Sequence, residues 1–468
     1  MSDDLCFLSA AELVEGYRSG TFTPVDVTEA LLRRIETINP IVNAYCLIDG
    51  EAALQDARAS AARWKNGKPR GPIDGVPASI KDIILTRGWP TLRGSRTVDP
   101  EQAWDEDAPV TARLREAGCV LIGKTTSPEM GWKGVTDSPL TGITRNPWNP
   151  QTTPGGSSGG ASAQVAADLG PLAVGTDGGG SIRIPAGFAG IVGLKPSFGR
   201  VPAAPLSPFG TLAHLGPMTR TVRDAALMLR EMAKPDARDW FALPYADFDY
   251  AAALGAGIKG MKIAYSPRLG YAKVDPEVAA AVDAAARLFA DLGAEVSQVD
   301  PGFADPTECF HVHWFVGAYN ALMALPQEKF ALLDPGLQRT FERGAAISTK
   351  QYLEAANARG KLGVLMKQFH QTYDLLLTPS LAVLPFEAGR LAPADMGDAY
   401  WTAWTPFSYP FNLTQQPAIS VPCGFSQSGL PIGLQLVAPM HRDDLVLRAA
   451  AAYEAATDWH KQRPKLPV

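Results

Sequence analysis

Apolar residues recur at helical spacing along the N-terminal part of the chain. Ser9-Ala-Ala-Glu12 spells a capping box, Leu13 and Tyr17 continue one face, and Gly20 ends it. Thr23-Pro24 restarts a helix with Val27, Leu31, Ile35 and Ile38 inward, predicted to stop at Asn39-Pro40. A third helix is predicted over 51–64. The pattern then changes. Short β-like runs at 76–80, 120–123 and 172–174 alternate with helical patterns at 110–116 and 161–168. A strand at 261–265, a long helix at 276–292 and a strand at 295–299 follow, with further strands at 375–378 and 418–421 and a last helix at 443–456. Strands alternating with helices predict an α/β fold, a sheet wrapped by helices.

Composition narrows the class without naming a function. With 46% hydrophobic and 19% charged residues the chain has an ordinary globular balance. Its 468 residues taken alone suggest roughly two to four domains. The net charge of −5, with no block of Lys or Arg, argues against nucleic acid or an anionic membrane surface as a direct partner. The start, MSDDLCFLSA, is acidic and short of apolar length, so no secretory signal is expected there, nor a membrane span anywhere. Cys6, Cys46, Cys119, Cys309 and Cys423 are scattered without a C-x-x-C pair, which fits free thiols in a reducing cytoplasm.

Four familiar motifs occur by letter only. Gly118-Cys-Val-Leu-Ile-Gly123-Lys124-Thr125 matches a phosphate-binding loop, but its centre is a strand sequence and Pro128 follows where a helix should begin. Gly255-Ala-Gly257-Ile-Lys-Gly260 precedes its strand instead of following one, so the helix end that would hold a pyrophosphate is missing. Gly155-Gly-Ser157-Ser-Gly159 spells a nucleophile elbow, yet three prolines in the lead-in 146–154 exclude a central strand. His311-Val-His313 lacks a third metal ligand and reads as packing or pocket residues among Phe310, Trp314 and Phe315. No cofactor or metal is expected.

Two glycine-rich loops carry serines, Gly155 to Gly160 and Gly178 to Ser181, and no histidine stands near either in sequence. Glycine lets backbone N–H groups approach a reacting oxygen, and a desolvated lysine can replace histidine as base. Lys81 follows an apolar run in Gly75-Val-Pro-Ala-Ser-Ile-Lys81-Asp82, where a strand end would carry it inside.

Together, Gly75-Val-Pro-x-x-Ile-Lys-Asp, Pro154-Gly-Gly-Ser-Ser-Gly-Gly and Gly175-Thr-Asp-Gly-Gly-Gly-Ser-Ile-Arg183-Ile-Pro185 resemble the amidase signature family. The likeness continues through Gly190-Ile-Val-Gly-Leu-Lys195-Pro196, Gly199-Arg-Val-Pro202, Leu215-Gly-Pro-Met-Thr-Arg220, Pro417-Ala-Ile-Ser-Val-Pro422 and Gly429-Leu-Pro-Ile-Gly-Leu-Gln435. It spans about residues 5 to 460, with 240–400 the least diagnostic part. The resemblance implies one large α/β domain with a mixed sheet surrounded by helices, in place of several domains. Its parts would be N-terminal helices at 1–66, the signature core at 67–235, a variable substrate-pocket region at 236–400 and a return to the core at 401–468. The family's Ser–Ser–Lys triad falls on Ser181 as nucleophile, Ser157 as the bridging serine after a cis peptide to Gly156, and Lys81 as base. Gly178, Gly179, Gly180 and Ser181 would supply the oxyanion-binding N–H groups. Gly178 stands where many relatives carry a larger residue, so a looser loop is expected. Ser158 is read as a locally bonded bystander, and Asp177 and Arg183 as braces.

By the same resemblance Gly131 and Trp132 lie beside the substrate. The aromatic tracts at 310–319 and 400–411 read either as core and lid packing or as an apolar pocket. The implied activity is hydrolysis of a small-molecule amide, ester or carbamate, and a homodimer is the family-based expectation. One alternative is the A subunit of a tRNA-dependent amidotransferase, which would need partner chains and a glutamine-binding Arg/Asp set not recognisable here. Another is a non-catalytic binding protein on the same fold, which the intact Lys81, Ser157 and Ser181 disfavour.

Overall fold

In the computed structural model, which describes residues 4–466, eleven strands form one continuous sheet. In chain order they are β1 (Tyr45–Ile48), β2 (Pro77–Lys81), β3 (Val120–Thr125), β4 (Leu172–Asp177), β5 (Val192–Lys195) and β6 (His214–Thr219), then β7 (Lys262–Tyr265), β8 (Glu295–Gln298), β9 (Leu375–Pro379), β10 (Ala418–Phe425) and β11 (Pro431–Val437). Their spatial order is β1-β3-β2-β4-β6-β5-β10-β11-β9-β7-β8. The sheet is mixed: β3, β2 and β4 run parallel, β6 to β11 pair antiparallel, and β9, β7 and β8 return to parallel. A sheet unbroken from end to end joins the whole chain into one core, so the several domains suggested by length give way to one. The acidic start of the chain lies partly outside the described residues.

Both faces of the sheet are covered. Leu172 and Val174 of β4 face one hydrophobic cluster and Ala173 another, and Leu375 and Leu377 of β9 alternate in the same way with Leu376. That is why the strands read as apolar runs and not as alternating patterns. Helices Ala10–Ser19, Pro109–Glu116, Val222–Met232, Pro276–Asp291 and Asp443–Ala455 cover the first face. The first of them carries the expected capping box at Ser9, with Gly20 left-handed at its end.

The second helix departs from its predicted end. It runs Pro24–Val42 straight through Pro40 and stops at Asn43, which is left-handed. Ile38 and Val42 are both fully buried, so continuing the apolar face into the core outweighs the single hydrogen bond that proline removes. Strands β1, β5, β6 and β11, and helices Val222–Met232, Thr307–Leu322, Pro335–Ala345 and Thr349–Phe369, are additions to the predicted elements. No helix of the described residues is long and apolar enough to cross a membrane.

Candidate active site

Strand β2 ends on Lys81, and β4 runs parallel beside it with Ile80 opposite Val174. Thr176 and Asp177 therefore emerge next to Lys81 at the carboxyl ends of the strands, where an open α/β sheet leaves room for a ligand. Lys81 is fully buried, with Nζ 2.6 Å from Ser157 Oγ, 2.9 Å from Ser158 Oγ and 2.9 Å from Thr176 Oγ1. Burial pushes its pKa well below the usual lysine value, opposed in part by the Asp177 carboxylate. The lysine of the phosphate-loop lookalike has a different fate. Lys124 is buried, pairs with Asp82 at 3.4 Å and donates to the Ile84 carbonyl at 2.9 Å.

The first serine loop contains a cis peptide between Gly156 and Ser157. Thr136 pins it from both sides, Oγ1 donating to the Gly155 carbonyl at 2.9 Å and accepting from Gly159 N–H at 3.0 Å. A Cβ at Gly156 would stand 2.5 Å from the Val135 carbonyl carbon, so only glycine passes there. Ser158 is no bystander. It touches Lys81, donates to the Thr176 carbonyl at 3.1 Å and accepts from Thr176 N–H at 3.2 Å, tying the first loop to the end of β4.

Asp177 organises the second loop. Its carboxylate accepts from Arg183 Nε at 2.9 Å, Arg183 Nη2 at 3.0 Å, Asn412 Nδ2 at 2.8 Å and Gly180 N–H at 2.7 Å. Burial raises its pKa, but the charge and hydrogen bonds of Arg183 outweigh that and hold it well below the usual carboxylate range. Arg183, fully buried, also donates to Gln435 and to the Ser408 carbonyl. The brace role expected of both residues is what the geometry contains. One expectation changes: Gly180 N–H is already committed to Asp177 and is not free to receive an oxyanion. Among the described residues the N–H groups of Gly178, Gly179 and Ser181 have no acceptor.

Ser157 and Ser181 open onto the same cavity of ≈ 710 Å³, which Thr176, Gly178, Met130 and Gly131 also line. No hydrogen bond joins the two serine hydroxyls among the described residues; the contact between the loops is Ser158 N–H donating to the Ser181 carbonyl at 3.1 Å. Gly131 faces this cavity, and a Cβ on it would come 3.4 Å from Ser157 Oγ. Trp132 does not. Its indole is buried against Gly336 and Tyr400 in the core, and the preceding Met130 lines the cavity in its place, in a left-handed backbone conformation at φ 52°.

The largest share of the cavity wall, close to half, comes from residues 197–215, inside the expected signature core. The 236–400 stretch supplies only Asp239, Phe241, Trp314, Asn320 and Ala321. Of the aromatic tracts, Trp314 alone reaches the cavity, stacked on Phe209 at 4.2 Å between ring centroids. Phe310, Trp401, Trp404, Phe407, Tyr409 and Phe411 are buried core. Trp314 also fills the space left by Gly178, where a Cβ would meet its ring at 3.1 Å. His311 hydrogen-bonds Thr402 and stacks on Phe315, as packing. A histidine does line the cavity: His214, with Nδ1 2.8 Å from the Leu212 carbonyl and no bond to either serine. Burial keeps its pKa well below the usual value, so it is neutral. Ser158, Thr176, Met130 and the 197–215 segment were missed from the sequence because their roles rest on contacts across the sheet.

The chain that builds this site is similar over nearly its whole length to known proteins. The amidase family model matches residues 26–447. An acylamidase of Rhodococcus erythropolis is 38% identical over 98% of both chains. The A subunit of the glutamyl-tRNA(Gln) amidotransferase of Chloroflexus aurantiacus is 36% identical over 96% of both. Among solved structures, a bacterial aryl acylamidase of the amidase signature enzymes superposes with a TM-score of 0.92 at 32% identity, covering 99% of each chain. The 6-aminohexanoate cyclic dimer hydrolase gives 0.89 at 30%, covering 98% of this chain and 99% of that one. The chain belongs to the amidase family of amidase signature enzymes and is an amide-hydrolysing enzyme.

Proposed function

We propose that the enzyme cleaves apolar amides through an acyl-enzyme on Ser181, with Ser157 as proton relay and Lys81 as base. The observation that carries this is the full burial of Lys81 within 2.6 Å of Ser157. A neutral amine has two N–H donors and one lone pair. Ser158 gives its proton to the Thr176 carbonyl, so its oxygen accepts from Nζ, as does Thr176 Oγ1. The lone pair is left for the Ser157 hydroxyl. Ser157 passes its proton to Lys81 while taking the Ser181 proton, and the Ser181 oxygen adds to the amide carbonyl. Gly178, Gly179 and Ser181 N–H groups receive the developing oxyanion; one such donor is worth roughly 3–4 kcal/mol. Lys81 returns its proton through Ser157 to the departing amine, the C–N bond breaks, and water hydrolyses the ester. Trp314, Phe209 and Met130 favour an aryl or alkyl substituent, and esters and carbamates present the same carbonyl.

Ser181→Ala is expected to abolish both turnover of anilides and covalent labelling by a fluorophosphonate, followed by mass spectrometry of the intact protein. Retention of either defeats the assignment. The amidotransferase relative favours a second reading, that of a glutaminase within a larger complex; glutaminase activity without anilide turnover selects it.

A further inference from the structure

Arg93 lines the same cavity as the two serines, and the residue beside the base holds it there. The Asp82 carboxylate accepts from Leu92 N–H at 3.2 Å and Gly94 N–H at 3.3 Å, and its backbone carbonyl accepts from Arg93 N–H at 2.9 Å. Three consecutive N–H groups are thus fastened to one residue, with Arg93 in the middle at φ 58°. The Arg93 carbonyl in turn accepts from Met130 N–H at 2.8 Å. Arg93 and Met130 are both left-handed residues with a Cβ, a conformation that persists where surrounding contacts enforce it and that concentrates at functional sites.

The carboxylate whose charge acts on the Arg93 guanidinium is Asp82. Asp82 is matched by Lys124 at 3.4 Å. Asp239, the acidic residue on the cavity wall, accepts from the N–H groups of Ala203 and Phe241, both at 2.9 Å. Among the described residues the half-buried Arg93 side chain makes no ion pair and no hydrogen bond. Five N–H donors in a fixed fork suit a carboxylate. The side of the cavity follows from the chain: Arg93 is bonded to Met130, and Gly131 next to it abuts Ser157, the group that returns a proton to the leaving nitrogen.

Resting on the amide-hydrolase reading above, we propose that Arg93 selects substrates carrying a carboxylate on their amine portion, an N-acyl amino acid or N-acyl aminobenzoate. The test compares acetanilide, 3- and 4-acetamidobenzoate, and N-phenylsuccinamate, whose carboxylate lies on the acyl side. The wild type is expected to prefer an acetamidobenzoate to acetanilide. Arg93→Met should lower the ratio of their kcat/KM values roughly 10- to 100-fold, the range expected for a hydrogen-bonded charge, with Arg93→Lys recovering part of it. Product inhibition of the wild type gives the same answer without a variant: 3- or 4-aminobenzoate should inhibit more tightly than aniline. Acetanilide turnover with no preference for the acetamidobenzoates, or a loss in Arg93→Met confined to N-phenylsuccinamate, overturns the carboxylate assignment and leaves the hydrolase reading standing. Absence of any amide turnover together with absence of fluorophosphonate labelling overturns both.

Discussion

Replacing Lys81 by methionine should remove activity and, at neutral pH, make the fold more stable. Lys81 is fully buried and its pKa is depressed by that burial, so the folded protein favours the neutral amine where the unfolded chain holds it charged. Stripping a proton from an ordinary lysine of pKa about 10.4 at pH 7 costs about 4–5 kcal/mol, at about 1.36 kcal/mol per pH unit. Against this stand the contacts of Nζ with Ser157, Ser158 and Thr176, at about 1 kcal/mol each. The difference leaves the Lys81→Met variant roughly 1–2 kcal/mol more stable near pH 7. The sign with pH follows from linkage. Between the depressed folded pKa and the unfolded one the folded state binds fewer protons, so wild-type stability falls as pH falls. The advantage of the variant should therefore grow by about 1.4 kcal/mol for each unit towards acid until the folded pKa is passed, and reverse near about pH 8. Equilibrium guanidinium unfolding of both proteins from about pH 6 to about pH 9, followed by circular dichroism, measures it. A stability difference that is constant with pH, or that shrinks towards acid, refutes the neutral buried lysine. The wild-type acylation rate should also decline towards acid as Lys81 loses its lone pair, which single-turnover kinetics would follow.

Ser158→Ala removes one of the three hydroxyls around Lys81 and its link to Thr176, and should lower kcat roughly tenfold, about 1–1.5 kcal/mol, while fluorophosphonate labelling of Ser181 persists. Unchanged kcat would restore Ser158 to a bystander. Arg183→Met leaves the buried Asp177 charge without its main partner and should reduce stability by about 3–5 kcal/mol in denaturant unfolding. A loss below about 1 kcal/mol would show that Asn412 and Gly180 suffice to hold that carboxylate.

Where a local signal existed, the sequence resolved it: the capping box at Ser9 and the strand ending on Lys81 both stand where the pattern places them. Helix Thr349–Phe369 escaped detection because only Ala355, Leu362 and Met366 are buried along it, too few to mark a face. Strand β6 escaped because its sequence, HLGPMT, contains the Gly and Pro that ordinarily mark a turn.

By itself the sequence determined the chemical inventory. Lysine, two serines and glycine-rich backbone stand in an order that resembles one family, on elements whose local pattern is apolar enough to bury them. Tertiary structure alone decided how that inventory is shared out. Thr176, 95 residues from Lys81, meets it because β2 and β4 are neighbours in the sheet. The same packing takes Gly180 N–H for Asp177, turns Trp132 into the core and brings residues 197–215 over the serines. Periodicity along a chain records that a side chain is buried, whereas its partner there depends on strand order and loop placement.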